Sequence, residues 1–171
     1  MGADVGAADN DGRTALMLAA SMGHEGCVGK LVEKGASLVA ADNGGRTAVM
    51  LAARQGQQRC LQVLLGVGAN VGSADNDGRT ALMLAASKGH EGCVRELVEA
   101  GADGGATNKD GRTALILAAM EGHEGCVREL VGAGADVGAA DNDGRTALSW
   151  AKSKGHEGCV RILEEASGSA K

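Results

Sequence analysis

His24 and Cys27 form a pair that returns as His90/Cys93, His123/Cys126 and His156/Cys159, with Gln57 and Cys60 in the same places once. Imidazole and thiolate at this spacing suggest zinc ligation or Cys–His nucleophilic catalysis. A zinc site needs four ligands converging at about 2.0–2.3 Å. The pairs recur every 33 residues, so each unit supplies one His and one Cys. Taking the packing distance of helix pairs as the rise, the next set lies about 10 Å away. That separation also exceeds the Cα–Cα span of about 7 Å that a disulfide tolerates. Catalysis needs a base in reach of the nucleophile and a third group to orient it. Four near copies of His-Glu-Gly-Cys would instead make every unit an active site. The pattern reads as architecture, with Cys a small buried apolar residue and His a polar residue at the start of a helix. No Gly-rich loop precedes a Lys-Ser/Thr pair. The chain is expected to be no enzyme and to carry no metal or cofactor. Five unpaired thiols fit a reducing, cytoplasmic compartment.

A second column is charged. Arg13, Arg46, Arg79, Arg112 and Arg145 stand at the same place in every unit, flanked by Asp9, Asp11, Asp42, Asp75, Asp77, Asp110, Asp141 and Asp143. One reading is a striped ladder for a partner of alternating charge. The other is a local Asp–Arg network that holds a turn, each exposed pair contributing ~0–1 kcal/mol. Uniform columns serve the architecture that all units share, which favours the network.

These columns sit in a repeated segment, Asp9 to Ala41, that begins DNDGRTALMLAASMGHEGCV and restarts from Asp42, Asp75, Asn108 and Asp141. Fixed self-similarity at this period means stacked supersecondary units. Within the first, Asp9-Asn10-Asp11-Gly12 is turn chemistry. Thr14 can cap a short helix over Ala15–Ser21 that Gly23 stops. Glu25–Lys34 is a second helix, with Val28, Leu31 and Val32 on one face, and 36–41 is an extended link. Helices this short are marginal alone, so the units must stack. The segments are 1–8, 9–41, 42–74, 75–107, 108–140 and 141–171, in one continuous array. MGADVGAA reads as the tail of an incomplete preceding unit, because GADVGAA closes the fourth unit at 134–140. Met1-Gly2 lacks the Ser or Thr that acylation wants, Gly6 standing there. The other end reads as a cap: Lys152 and Glu164 are charged where every earlier unit is apolar. Trp150, in a column of Leu, reads as a larger core plug.

The chain is 44% hydrophobic and has no Phe or Tyr, so its core must be thin and built of Ala, Leu, Val, Met and Cys. A net charge of −5 and the lack of aromatic stacking platforms argue against nucleic acid. No apolar run approaches a membrane span, and the N-terminus has no signal-peptide pattern.

Gly12-x-Thr14-x-Leu16, Ala19-Ala20, Gly23-His24, Val28, Leu31-Val32 and Gly35-Ala36, five times in register, resemble the ankyrin repeat family. The resemblance implies an all-α solenoid of stacked helix-turn-helix repeats with β-turn hairpin fingers. It places the Asp–Arg columns on the fingers and inner rim. It also implies a protein–protein interaction module, a scaffold or adaptor binding a protein partner on its concave face. The family's first-helix Pro is Ala throughout, and its following His is Met17, Met50, Met83, Ile116 or Ser149. Gly26, Gly92, Gly125 and Gly158 lie early in the second helix. If interior, each costs up to ~1 kcal/mol, and the array would be less rigid than idealised members.

Partner choice is expected where the rows differ: Arg54, Gln55, Lys88, Met120 and Glu121 at the ends of first helices, and Lys109 in a finger column otherwise Asn. Arg46, Arg79 and Arg112 join them as rim cations. The open face of the first unit is expected to drive self-association. The competing functional reading is a structural or regulatory C-terminal segment of a larger protein whose activity lies upstream.

Overall fold

The computed structural model describes residues 4–168. The Met1-Gly2 start and the last three residues of the fifth unit lie outside them. Ten helices form five pairs: α1 (Ala15–Met22) with α2 (Glu25–Glu33), α3 (Ala48–Arg54) with α4 (Gln58–Gly66), α5 (Ala81–Ser87) with α6 (Glu91–Glu99), α7 (Ala114–Glu121) with α8 (Glu124–Gly132), and α9 (Ala147–Lys154) with α10 (Glu157–Gly168). First helices stack on first helices and second on second, so each pair meets only its neighbours. No β-strand occurs among the described residues. The hairpin character of the turns survives as single bridges joining Ala8 to Thr14, Ala74 to Thr80 and Ala140 to Thr146.

Each first helix starts where the sequence places it. The hydroxyls of Thr14, Thr80, Thr113 and Thr146 accept a hydrogen bond from the backbone N–H three residues on. Thr47 departs, since its buried hydroxyl has no partner. These helices are pressed on several sides at once, and every residue of Ala48–Ala53 is buried. Alanine at 52, 53, 85 and 86 is fully covered because only a methyl group fits between helices in such close contact. Met17, Met50, Met83 and Ile116 share one column, and each is 1% exposed in apolar packing. In the last unit Ser149 is exposed, and its hydroxyl donates to the Thr146 carbonyl at 2.9 Å.

The second helices turn Val28, then Cys60/Leu61/Leu64, Cys93/Val94/Leu97, Cys126/Val127/Leu130 and Cys159/Leu163 into the stack. One expectation is corrected here. Gly26, Gly92, Gly125 and Gly158 are the second residues of their helices, in the first turn rather than the interior, so the interior penalty does not apply. The space that a side chain would need at Gly92, Gly125 and Gly158 holds the carboxamide of Gln58 and the carboxylates of Glu91 and Glu124 from the preceding unit. Unit 2 has Arg59 in this column, and its guanidinium faces Glu25 at 3.9 Å.

The first and last units differ from the middle ones. Leu51, Leu84 and Leu117 are 7%, 4% and 7% exposed beneath the preceding unit, whereas Leu18 is 37% exposed; Met22, in a column exposed in every unit, is 64% exposed. At the far end Lys152 and Glu164 are both exposed and paired at 2.7 Å. Solvated charge stands at 152 where earlier units present a buried Ala.

Candidate functional site

The Asp–Arg columns build the fingers. Asp42 Oδ1 accepts the backbone N–H groups of Gly44 and Arg46, both at 2.9 Å, while Oδ2 accepts Arg46 Nε at 2.9 Å. Asp75 and Asp141 repeat the two backbone bonds. In unit 4 the amide oxygen of Asn108 keeps both backbone bonds without the charge. Burial works against ionising Asp42, but the Arg46 guanidinium and the donated amides outweigh it and hold the carboxyl below its usual value. Asp141 is lowered likewise, against its burial, by the Arg145 amide, the Trp150 indole N–H and the Asp143 amide. At Asp9 the Arg13 amide is the main lowering influence.

Successive fingers are tied together. The backbone N–H of Asn43, Asn76, Lys109 and Asn142 donates to Asp11, Gly44, Asp77 and Asp110 of the finger before, at 2.9–3.1 Å. The Asn side chains add a second rung: Nδ2 of Asn43, Asn76 and Asn142 donates to the carbonyls of Asn10, Asn43 and Lys109. Gly45 makes the approach feasible, with φ at +78° and a would-be Cβ only 2.9 Å from the Asn76 amide nitrogen. The sequence presents this Asn column as a varying surface. The structure makes it an architectural ladder that only Lys109 leaves.

The His column has an equally definite task. Nε2 of His90, His123 and His156 donates to the carbonyls of Arg54, Ser87 and Met120, at 3.0, 3.2 and 3.1 Å. Each therefore closes the last turn of the preceding first helix, whose carbonyls have no intrahelical partner. Gln57 makes a longer version of the bond to Ser21 at 3.4 Å. The ring packs so tightly that a Cβ at Gly56, Gly89 or Gly122 would lie within 2.6–2.7 Å of its Nδ1, at backbone φ between +71° and +80°. Sequence reasoning places His at a helix start but does not find its acceptor. The one available signal is that His and Gln, which share a side-chain N–H, are the only types in four consecutive rows.

Trp150 is buried, as a core plug should be, and does more. Its indole N–H donates to Asp141 Oδ2 at 2.9 Å. The guanidinium carbons of Arg145 and Arg112 lie 3.9 and 5.2 Å from the ring centroid, within cation–π range. Of the candidate rim cations, Arg46 and Arg79 face the carboxylates of Asp42 and Asp75 in their own fingers, and Arg112 faces Asp110, Asp141 and Trp150.

The remaining candidates are unoccupied. Gln55, Lys88, Lys109 and Glu121 are exposed, Arg54 and Met120 are half-buried, and Met120 packs against the core. Among the described residues no hydrogen bond or ion pair is made by these side chains. Residues 54–55, 88 and 120–121 end α3, α5 and α7, three helices stacked in order, so they form a row along the array.

The thiols have no comparable freedom except one. Cys60, Cys93, Cys126 and Cys159 are buried, and Cys27 is exposed. Burial, helped by Glu96, pushes Cys93 up to about 11, and burial, with Glu91 and other neighbours, pushes Cys126 up to about 12. Cys60 and Cys159 are raised by the same cause. Cys27 is the one exposed member of this column. No group of three or more His, Cys, Asp and Glu able to hold a metal occurs among the described residues.

A family model described as ankyrin repeats (3 copies) matches residues 1–75, 39–108, 60–141 and 101–170. Comparison with curated proteins finds no match.

Two measurements check this account. In the folded protein, one thiol per chain should react quickly with a disulfide reagent and all five only after unfolding, and Cys27→Ser should abolish the fast phase. Several fast thiols would contradict the burial. The lowered carboxyls of Asp42 and Asp141 contribute stability in full above the unfolded value of about 3.9. That contribution is lost as pH falls through their lower folded values. Melting temperature should therefore decline below about pH 4, and less steeply in Asp42→Asn/Asp141→Asn. An unchanged slope would show that the fingers are not the acid-sensitive element.

Proposed function

The chain belongs to the ankyrin repeat family, whose repeats serve generally as protein–protein interaction modules, and from that premise we propose a non-catalytic scaffold that binds a protein partner through the row of first-helix ends and finger tips on its concave side. The observation that supports this is how side chains are used. Constant columns are spent inside the array: Asp on finger amides, Asn on the next finger, His on the preceding helix. At Arg54, Gln55, Lys88, Lys109, Met120 and Glu121, where the rows differ, the side chains make no hydrogen bond or ion pair among the described residues. Arg46, Arg79 and Arg112 flank this row and present a cationic edge beyond their own carboxylates. Arg54 and Met120 are the anchors of the reading, because half-buried Arg and Met combine apolar stem, reach and little freedom to lose. Four buried thiols and one exposed one fit a reducing compartment, the cytoplasm.

In the same reading, Leu18 and Met22 on the uncovered face of the first unit join two copies of the chain. Their exposure supports this, since large apolar side chains seek cover.

The surface is tested by replacing Arg54, Lys88, Met120 and Glu121 together with Ala and comparing proteins captured by wild type and variant at matched helicity. Loss of the wild-type set, with Kd weakened by a hundredfold or more for a handful of anchors, is expected. Equal capture would refute the assignment. Self-association is checked by sedimentation velocity over a wide concentration range. The average mass should rise with concentration in the wild type and stay monomeric in Leu18→Ser/Met22→Ser. A wild type that stays strictly monomeric removes the idea.

A further inference from the structure

In the link after each second helix, one column carries a branched aliphatic side chain packed against the core: Val5, Leu38, Val71 and Val137. In unit 3 that place belongs to Gly104. A Cβ built there would meet nothing within 4 Å, so the missing side chain has not been replaced by a neighbour. Nor does the backbone require glycine, because Gly104 does not take a positive φ. The vacant position opens on a cavity of about 400 Å³ between the third and fourth units, walled by Val98, Ala102, Leu130 and Ala135. Two carboxylates, Asp103 and Asp136, also line it. Each uses Oδ1 to accept the backbone N–H two residues on, of Gly105 and Gly138, at 2.8 Å. Neither makes an ion pair among the described residues, and no Lys or Arg lines the cavity. It also adjoins the C-terminal ends of α6 and α8, where the helix dipole is negative.

We propose that this notch is a second binding site, distinct from the first-helix row. It takes a branched aliphatic side chain flanked by cations, as presented by a protein segment in which Leu, Ile or Val neighbours Lys or Arg. The aliphatic group occupies the place that Val holds in the other units, and the cations lie against Asp103 and Asp136. A pocket with aliphatic walls, two acids and no base selects this chemistry over an anionic or purely polar segment. The site needs no contribution from the Arg54–Glu121 row, so either can fail without the other.

The test titrates the capped peptide acetyl-Lys-Leu-Arg-amide into the isotope-labelled full chain and follows backbone amide shifts. Saturable shifts are expected at 102–105 and 134–136. Exchanging the central Leu of the peptide for Ala should weaken binding roughly tenfold or more, the scale of lost methylenes in an apolar pocket. Exchanging both basic residues for Gln should weaken it about 3- to 5-fold, the scale of exposed ion pairs. Gly104→Val should melt at a higher temperature than wild type and lose the shifts, because its own side chain refills the place. Asp103→Asn/Asp136→Asn, which keeps the pocket open, should bind the basic and Gln peptides equally. Absence of saturable shifts, shifts elsewhere on the array, or undiminished binding by Gly104→Val would each overturn the proposal.

Discussion

A helix of seven to nine residues is not stable alone in water, because ordering its first turn costs more than its few hydrogen bonds return. All of this chain except α10 is built from such helices. Each unit therefore holds its shape only through the apolar face that the next unit covers, and the whole structure depends on nearest-neighbour contact. The thin core follows from this. Close approach on two sides leaves room for Ala at 52, 53, 85 and 86 and for Cys at 60, 93, 126 and 159.

On this apolar contact the chain adds polar ties at three heights. Fingers pair through amides and Asn side chains. His or Gln crosses from the start of one second helix to the end of the preceding first helix. On the outer side, Gln58 and Gln62 converge on Glu96, and Arg95 bridges Glu91 and Glu129. The exposed outer pairs contribute little individually. The buried finger carboxylates and His bonds matter more, since each answers a backbone group that would otherwise be unsatisfied. Unit 2 keeps this plan while altering its parts: Gln57 for His, Arg59 for Gly, and Thr47 without its capping bond.

The tie between units also separates architecture from recognition. The side chains that tie fingers and helix ends to the neighbouring unit are nearly constant, whereas the outer contacts of Gln62, Arg95 and Glu96 use columns that vary. A side chain that points away is free to differ. Arg54, Lys88 and Glu121 are of this last kind. Lys109 keeps the backbone rung of its tied column but gives up the side-chain rung. Gly104 is the same idea in the core, where a column that packs aliphatic side chains has left one place empty.

The period, the helix pairs, the Thr and Gly boundaries and the ankyrin family were all legible from the residues, because they rest on local propensity and on comparing rows within the chain. The Asp–Arg network was legible too, since its partners lie two to four residues apart. What lay beyond reach were contacts spanning 33 to 36 residues. The acceptor of each His, the carbonyl reached by each Asn, and the carboxylate filling the space above Gly125 and Gly158 depend on how one unit sits on the next. Sequence by itself determined which columns are constant. Only the stacked structure decided what each constant residue touches, because rise and rotation between units set those distances and no single unit contains them.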